Sequence, residues 1–483
     1  MSSVRRSLWL SLADSYLGLV LQIVSTMVIA RVLKPAEIGV FAIAAVFSGL
    51  ASMFRDFGIA EYMIQERELT SEKIAAALSL NIIVSWSMAA SMFLGSGLVA
   101  DFYKNDGVGT VMRIQALGFL LVPFGAVTMA WFRREMNFRP VLICNLAGNL
   151  TAFVTAVGLA LAGFGYLGLA WSTVASIGVT VIISVAYRPA GFPRMPSLRG
   201  VGPVFHFSKF VTSMWIVGQA GKGAPELIIG RALGVVDVAM YSRANGLLEM
   251  FNRLVMRSVS HVGMPYFAKC DRENGSISVA YIRTASYVTA LGWPFFAFLA
   301  VGAFAAVRIV YGPQWDAAVP VAQVLCLAGA LDIVHAMARD ALLVRGCARE
   351  GNRLQLILVA LQACGLLLVV PFGLLGAAWG VTAAAALGLV VTQYFLSKYI
   401  GLRTIDLLQG CLPSALLCLG SVLPALLWSL VVGVNADNFV TFGVAGGLIT
   451  VAAWFVSLHL LRHPLLDELA PIKQRVASWL RRA

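Results

Sequence analysis

Charged residues are scarce in this chain, at 12% of its 483 residues, whereas ordinary soluble domains carry about 25%. Hydrophobic residues make up 59%, and apolar runs of membrane-spanning length recur from the first residues nearly to the last. Such a composition leaves no stretch for a soluble domain. The sequence therefore predicts an all-α polytopic membrane protein.

Motifs of catalytic and metal sites are also missing. The five histidines are scattered, and the sequence has no HExxH motif and no convincing Ser-His-Asp grouping. Gly221-Lys222-Gly223 resembles the tail of a phosphate loop, but Ile216 stands where that loop requires its first glycine. The seven cysteines form no CxxC pair, which argues against a zinc site or a disulfide framework. We expect no enzyme, no metal and no cofactor, apart from coupling to a proton or sodium ion.

The chain does contain a long series of hydrophobic segments, from which we predict about 14 transmembrane helices. They lie near residues 9–30, 38–60, 76–99, 113–132, 141–162, 166–187, 207–231, 238–265, 284–310, 317–342, 354–371, 375–397, 409–433 and 440–461. The first segment leads directly into further spans and shows no small-residue cleavage site. It is interpreted as a retained helix rather than a signal peptide.

Basic residues indicate the orientation of these spans. Most of the 36 Lys and Arg fall into alternate connections and the two chain ends, so the positive-inside rule places both termini in the cytoplasm. One inner connection, around Glu61–Glu72, is acidic instead. The net charge of +13 is concentrated beside the membrane, which favours contact with anionic membrane lipids and argues against nucleic acid as a partner.

Two sequence matches indicate an internal duplication. Residues 28–41 (VIARVLKPAEIGVF) align with 228–241 (IIGRALGVVDVAMY), and residues 164–171 (FGYLGLAW) align with 372–379 (FGLLGAAW). Chance similarity among apolar helices is the alternative, but charged and Trp positions also agree. Duplication predicts two pseudo-symmetric six-helix lobes at residues 1–187 and 207–398, joined by a cytoplasmic linker at 188–206. Two additional helices at 399–461 and a basic tail at 462–483 would follow, with the substrate site between the lobes.

Basic side chains inside hydrophobic spans are the main functional signal. Each would cost roughly 2.5–3.5 kcal/mol at a lipid-facing helix centre, so we expect them to line a wet, cationic cavity that binds an anion. The residues predicted to bind a diphosphate or sugar are Arg55, Lys222, Arg243, Arg253, Arg257 and Arg339. Glu249, Arg253, Arg257 and His261 are spaced by four along one helix face. Internal pairing of Glu249 with Arg253 is the structural alternative.

Acidic groups in the spans are candidates for ion coupling or for lining the cavity. They are Asp14, Asp56, Glu226, Glu249, Asp332 and Asp340. A structural hydrogen bond to a neighbouring helix remains the alternative for each isolated carboxyl. Glycines around Lys222 predict a kinked or unwound helix, or else simply close helix packing.

Several short segments resemble the polysaccharide transporter branch of the multidrug/oligosaccharidyl-lipid/polysaccharide flippase superfamily. They are residues 29–33 with 37–39, 54–59 with 64–65, 136–138, and 240–244 with 265–267. The resemblance as a whole covers about the first 400 residues, including the two predicted lobes. The resemblance implies a bacterial inner-membrane flippase that moves an undecaprenyl-diphosphate-linked oligosaccharide repeat for exopolysaccharide, capsule or O-antigen assembly. It also implies alternating access between two lobes around a cationic cavity, and a polysaccharide polymerase complex as a further partner.

Three other functions remain open from the sequence. A lipid II flippase differs mainly in cargo, and an ion-coupled multidrug antiporter of the same fold would favour an acidic cavity instead. A membrane polysaccharide polymerase or ligase would resemble chains with one or two long outer loops. Every predicted outer loop here is short, which argues against the enzyme.

Overall fold

The computed structural model describes residues 2–56, 58–189, 192–193, 196–198, 202, 221–273 and 275–468. Within these ranges, the side chains at 2–9, 11–12, 56, 257–258 and 261 lie outside the description. The described secondary structure consists of helices joined by turns and short connections, without strands. The chain divides into two compact units, Met1–Ala239 and Met240–Ala483.

The described residues of the first unit contain the starts or first described turns of ten helices. They are α1 (Ser2–Val32), α2 (Pro35–Asp56), α3 (Ile59–Gln65), α4 (Ser71–Tyr103), α5 (Asp106–Leu121), α6 (Pro123–Arg134), α7 (Phe138–Leu161), α8 (Tyr166–Ala186), α9 (221–232) and α10 (Val235–Phe251). Polar residues mark several helix starts: the side chains of Thr70 and Asn105 accept hydrogen bonds from the backbone N–H groups of Lys73 and Gly107. These caps satisfy donors that a helix end leaves unpaired.

The second unit continues from α10 through a π-helical turn, Asn252–Met256. The further helices are α11 (Arg257–Arg272), α12 (Ile277–Val301), α13 (Ala303–Val310), α14 (Val319–Asp332), α15 (Ala338–Val344), α16 (Ala348–Val369), α17 (Gly373–Ile400), α18 (Thr404–Val431), α19 (Phe439–Thr441) and α20 (Gly447–Leu460). Buried Ala290, Leu417 and Leu458 join α12, α18 and α20 in one apolar core.

The predicted all-α polytopic membrane architecture is confirmed. Among the described residues, ten helical segments are long and apolar enough to cross a membrane, and an eleventh is formed if α5 and α6 count as one span. These two helices meet at a 53° bend, where Pro123 lacks the N–H needed to continue the helix. One of the ten segments, Ala348–Ile400, contains both α16 and α17. The count of fourteen is not confirmed: most of the seventh predicted span lies outside the described residues, and the eighth, 238–265, is not among the segments found.

Helix α9 belongs to the first unit by its contacts. The hydroxyl of Tyr103 on α4 donates to the carbonyl of Leu227 at 3.1 Å, and Gly230 packs against Ile43 of α2. From the sequence, this segment was expected in the second lobe. The boundaries of the predicted lobes themselves stay a prediction.

Both repeated segments make close contacts in the first unit. A Cβ built on Gly39 would lie 1.8 Å from the carbonyl oxygen of Val235, so the first copy of the longer repeat touches the second copy directly. The carboxylate of Glu37 lies against Gly165, which belongs to the shorter repeat and has φ +55°. Glu37 also accepts the backbone N–H of Lys34 at 2.8 Å, as in a helix capping box. Glu37 thus caps the start of α2 and contacts Gly165 just before α8, while Gly39 allows α2 to approach the start of α10.

Candidate functional site

Lys222 and Arg253 are predicted anion ligands whose side chains are exposed. Lys222 lies in the described part of α9 in the first unit, and Arg253 lies in the π turn of the second. None of the ion pairs found among the described residues involves either side chain. Each charge is therefore open to a ligand so far as the described part of the chain is concerned.

The alternative pairing of Glu249 with Arg253 is not formed. Glu249 instead accepts a hydrogen bond from the side-chain amide of Asn252 at 3.2 Å. An amide partner leaves the net charge of the carboxylate unchanged and leaves the guanidinium of Arg253 without that counter-ion. The carboxylate of Glu249 therefore does not neutralise Arg253, although their spacing would allow it.

The predicted polar stripe, formed by Glu249, Arg253, Arg257 and His261, runs through an irregular part of the helix. The π turn at Asn252–Met256 contains Arg253 and directly precedes Arg257, the first residue of α11. A π turn contains more residues than an α-helical turn, is rare, and often occurs at functional sites. The side chains of Arg257 and His261 lie outside the described part of the structure, so their share in the stripe stays a prediction.

Arg243 occupies a different environment from Arg253. Its guanidinium carbon lies 5.5 Å from the ring centre of Tyr311 and 5.6 Å from that of Trp315, and both rings are buried. Its Nε atom is buried without a hydrogen-bond partner among the described residues. Cation–π contacts of this kind hold a charge within the fold. These rings give Arg243 a packing role of its own, and the diphosphate role expected for it stays a prediction.

Arg55 and Arg339 also differ from each other. The guanidinium of Arg55, at the end of α2, lies 5.5 Å from the ring centre of Phe119 on α5. Arg339, on the short helix α15, is exposed and forms no ion pair with a described residue. Arg339 therefore resembles Lys222 and Arg253 in being uncompensated, whereas Arg55 is packed against an aromatic ring.

The predicted acids fall into several settings. Asp14 on α1 accepts a hydrogen bond from the Asn145 side chain on α7 at 2.8 Å, which is the interhelical bond that the structural alternative required. Asp332 is exposed, and Asp340 and Glu226 are partly buried. The side chain of Asp56 lies outside the description. The structure does not bring these acids into one described cluster, and the ion-coupling role stays a prediction for each.

Arginine contacts also connect two of the predicted inner connections. Arg134, at the end of α6, donates through its guanidinium to the backbone carbonyls of Met63, Glu66 and Arg67. Lys73 pairs with Glu66 at 3.0 Å, and this hydrogen bond holds the pKa of the Glu66 carboxyl below its ordinary value. The acidic connection around Glu61–Glu72 is therefore held against the end of α6 within the first unit.

Sequence reasoning missed the aromatic partners of Arg243. Tyr311 and Trp315 follow α13 and are far from Arg243 in the chain, so no local spacing could connect them. It also missed Asn145 as the partner of Asp14. The only available signal was an amide inside a hydrophobic span, where an unpaired polar group is costly.

Comparisons with known proteins agree with this architecture. Residues 28–320 match the family described as "Polysaccharide biosynthesis protein". The chain is 26% identical over 316 residues to the lipopolysaccharide biosynthesis protein WzxC of Escherichia coli (strain K12), covering 64% of each chain. It is 27% identical over 311 residues to the succinoglycan biosynthesis transport protein ExoT of Rhizobium meliloti (strain 1021), covering 64% of this chain and 62% of that one. The match thus spans slightly less than two thirds of either relative.

A solved structure shares the fold along nearly the whole chain. The lipid II flippase MurJ in an inward closed conformation superposes with a TM-score of 0.77 and 12% sequence identity, covering 95% of this chain and 99% of that one. Identity this low establishes the fold alone. The family match extends over more than half of the sequence and confirms the resemblance carried by the short motifs. The protein therefore belongs to the polysaccharide biosynthesis protein family.

Proposed function

We propose that this protein is a flippase that carries a lipid-linked oligosaccharide across the membrane for polysaccharide assembly. It is a multi-pass membrane transporter and not an enzyme. Its specific cargo, in this proposal, is an undecaprenyl-diphosphate-linked repeat unit, moved from the cytoplasmic to the outer leaflet of a bacterial inner membrane by alternating access of the two related halves. The family membership and the shared flippase fold support this function.

The observation that carries the proposal is uncompensated positive charge in a largely apolar chain. Lys222, Arg253 and Arg339 are exposed and form no ion pair with a described carboxylate. Because such charges are costly against lipid, they are best explained by a polar ligand or by water. Arginine can donate two parallel hydrogen bonds to phosphate oxygens, which suits a diphosphate better than an organic cation.

The test replaces two cations of the polar stripe, Arg253→Ala together with Arg257→Ala. Each charge-assisted hydrogen bond is worth about 1.5–3 kcal/mol, so losing two should weaken diphosphate binding at least about 100-fold. We expect surface polymer to disappear while the amount of protein in the membrane stays near normal. The matched control removes two exposed cations from the same helix, Lys269→Ala with Arg272→Ala, and should leave export intact.

The location of the unfinished glycan distinguishes the proposed function from its rivals. Cells lacking the protein should accumulate single lipid-linked repeats on the cytoplasmic side. Unpolymerised repeats already on the outer face would instead indicate a polymerase, as would incorporation of labelled sugar by the purified protein. Normal polymer export by the Arg253/Arg257 double variant would exclude the stripe as the diphosphate site.

A further inference from the structure

The residues that follow α20 fold back against the second unit. Residues 462–468, called here the C-terminal segment, place Leu465 in the apolar core that joins α12, α18 and α20. Glu468 pairs with Arg283 of α12 at 3.1 Å, but both side chains are about half exposed, so this ion pair contributes little by itself. The buried contacts of the segment therefore decide whether it stays docked.

His463 is the polar centre of these buried contacts. The residue is 1% exposed, and Nδ1 of its ring accepts a hydrogen bond from the backbone N–H of Leu465 at 3.2 Å. A backbone amide can only donate, so Nδ1 carries no proton and the proton of the neutral ring is on Nε2. The bond from Leu465 thus fixes the tautomer of His463.

The proton on Nε2 of His463 has an acceptor in the neighbouring helices. Nε2 lies 3.1 Å from the hydroxyl oxygen of Ser414 on α18 and 3.3 Å from that of Ser286 on α12. The Ser414 hydroxyl donates its own proton to the backbone carbonyl of Ser286 at 2.9 Å, so its oxygen can accept from Nε2. The neutral ring is satisfied at both nitrogens and joins the C-terminal segment to α12 and α18.

A second proton on this ring is incompatible with the docked arrangement. It would have to bind Nδ1, where it would face the backbone N–H of Leu465, donor against donor. It would also place a positive charge in a buried site whose described hydrogen-bond partners include no carboxylate. Burial accordingly lowers the pKa of His463. Protonation of the ring and docking of the segment therefore compete.

Other charged and titratable groups lie within about one helical turn of these contacts. They are Arg283 and Tyr287 on α12, Cys411 and Cys418 on α18, His459 on α20, and Arg462, Asp467 and Glu468 in the segment. Among these residue types, only histidine ordinarily changes its charge between pH 7.5 and 5.5. The exposed ring of His459 donates through Nδ1 to the carbonyl of Phe455 at 2.8 Å, and a proton on its Nε2 leaves that bond intact. His463 is thus the group whose protonation breaks a docking contact.

We propose that the C-terminal segment is a pH-sensitive latch, docked on α12 and α18 while His463 is neutral and released when His463 takes up a proton. Release withdraws Leu465 from the core and moves the point from which residues 469–483 continue. The latch responds to the pH of the compartment that holds this part of the chain, which the positive-inside rule predicts to be the cytoplasm. It shares no residue with the predicted diphosphate site.

Proton linkage gives the size of the effect. A histidine in the released segment has an ordinary pKa of about 6.5, so it is about one-tenth protonated at pH 7.5 and about nine-tenths protonated at pH 5.5. For a docked segment that binds no proton in this range, the equilibrium constant for release rises about tenfold as the pH falls from 7.5 to 5.5. Acid therefore favours release, and neutral pH favours docking.

Hydrogen exchange of the purified full-length protein measures the release. The backbone N–H groups of Leu465, Leu466 and Asp467 are hydrogen-bonded in the docked segment, and release opens them to water. After correction for the intrinsic effect of pH on exchange, protection of residues 461–468 should fall about three- to tenfold between pH 7.5 and 5.5, while buried amides of α12 keep theirs. Unchanged protection of the segment, or an equal loss in α12, would overturn the proposal.

Three variants identify the group that senses the proton. His463→Asn keeps an acceptor for the Leu465 N–H but takes up no proton, so its protection should change less than about twofold over the same range. The controls are His459→Asn, at the exposed histidine one turn earlier, and Glu468→Gln, which neutralises the partner of Arg283.

Both controls should retain the pH dependence of the wild type. Each protein is compared with itself at the two pH values, so a variant that docks less tightly still informs. If His463→Asn lost protection in acid as the wild type does, or if Glu468→Gln abolished the pH dependence, His463 would not be the sensor.

Discussion

Replacing Gly39 with alanine tests the contact between the two copies of the longer repeat. A Cβ at this position would lie 1.8 Å from the carbonyl oxygen and 2.6 Å from the carbonyl carbon of Val235. Real Cβ atoms do not approach another heavy atom within 3.0 Å, so α2 and Val235 would have to separate by more than 1 Å. The obstructing atoms belong to the backbone, so no rotamer change can relieve the clash.

Two effects of the Gly39→Ala substitution have opposite signs. Alanine is favoured over glycine inside a helix by about 0.8–1.0 kcal/mol, whereas overpacking a tight contact costs about 1–3 kcal/mol and occasionally more. Because the clash involves rigid backbone, we place its cost at the upper end and expect a net loss of about 2 kcal/mol. Helix propensity alone would predict the reverse, a gain in stability.

Thermal unfolding of the purified protein in detergent measures this difference. The control is Gly95→Ala, on α4, where a Cβ would meet nothing within 4 Å. We expect the control to unfold at or slightly above the wild-type temperature and Gly39→Ala to unfold clearly below it. If Gly39→Ala were as stable as the control, α2 and Val235 could not be in the close contact described here.

Two further perturbations act outside the membrane spans. Arg134→Met removes the hydrogen bonds to three backbone carbonyls and should lower the free energy of unfolding by about 2 kcal/mol or more. The control, Arg133→Met at the neighbouring exposed position, should leave it unchanged. Equal unfolding temperatures for the two variants would contradict this prediction. Burial lowers the pKa of His463, whose Nε2 lies 3.1 Å from the Ser414 hydroxyl. The unfolded chain therefore binds a proton at this residue more readily than the folded protein does. The contribution of neutral His463 to the free energy of unfolding is present above about pH 6.5 and is lost as the pH falls below that value. The wild-type unfolding temperature should therefore drop more between pH 7.5 and 5.5 than that of His463→Asn, and parallel drops would refute the assignment.

Much of the fold follows from the sequence because a bilayer permits few solutions. Backbone groups in hydrocarbon must be satisfied within the segment, so each long apolar run had to become a helix. The internal duplication, inferred from matched charged residues at a fixed offset, stays a prediction. Even the bend between α5 and α6 has a local signal in Pro123, although the span predicted at 113–132 runs straight through it.

Details that depend on tertiary contacts could not be predicted in the same way. The π turn at Asn252–Met256 has no sequence signature, yet it changes the register of the polar stripe. The contact of Arg243 with Tyr311 and Trp315 likewise joins residues that are far apart in the chain and share no motif.

The arginines of the span predicted at 238–265 differ in how the fold compensates their charge. Arg243 has two buried aromatic rings beside its guanidinium, so part of the cost of its burial is offset without any ligand. Arg253 lies only ten residues further along and has no described counter-ion. A residue whose charge is compensated internally can be retained for packing alone. A residue whose charge is not compensated needs water or an anion to be tolerated in a span, and that requirement favours Arg253 over Arg243 as the contact for a diphosphate.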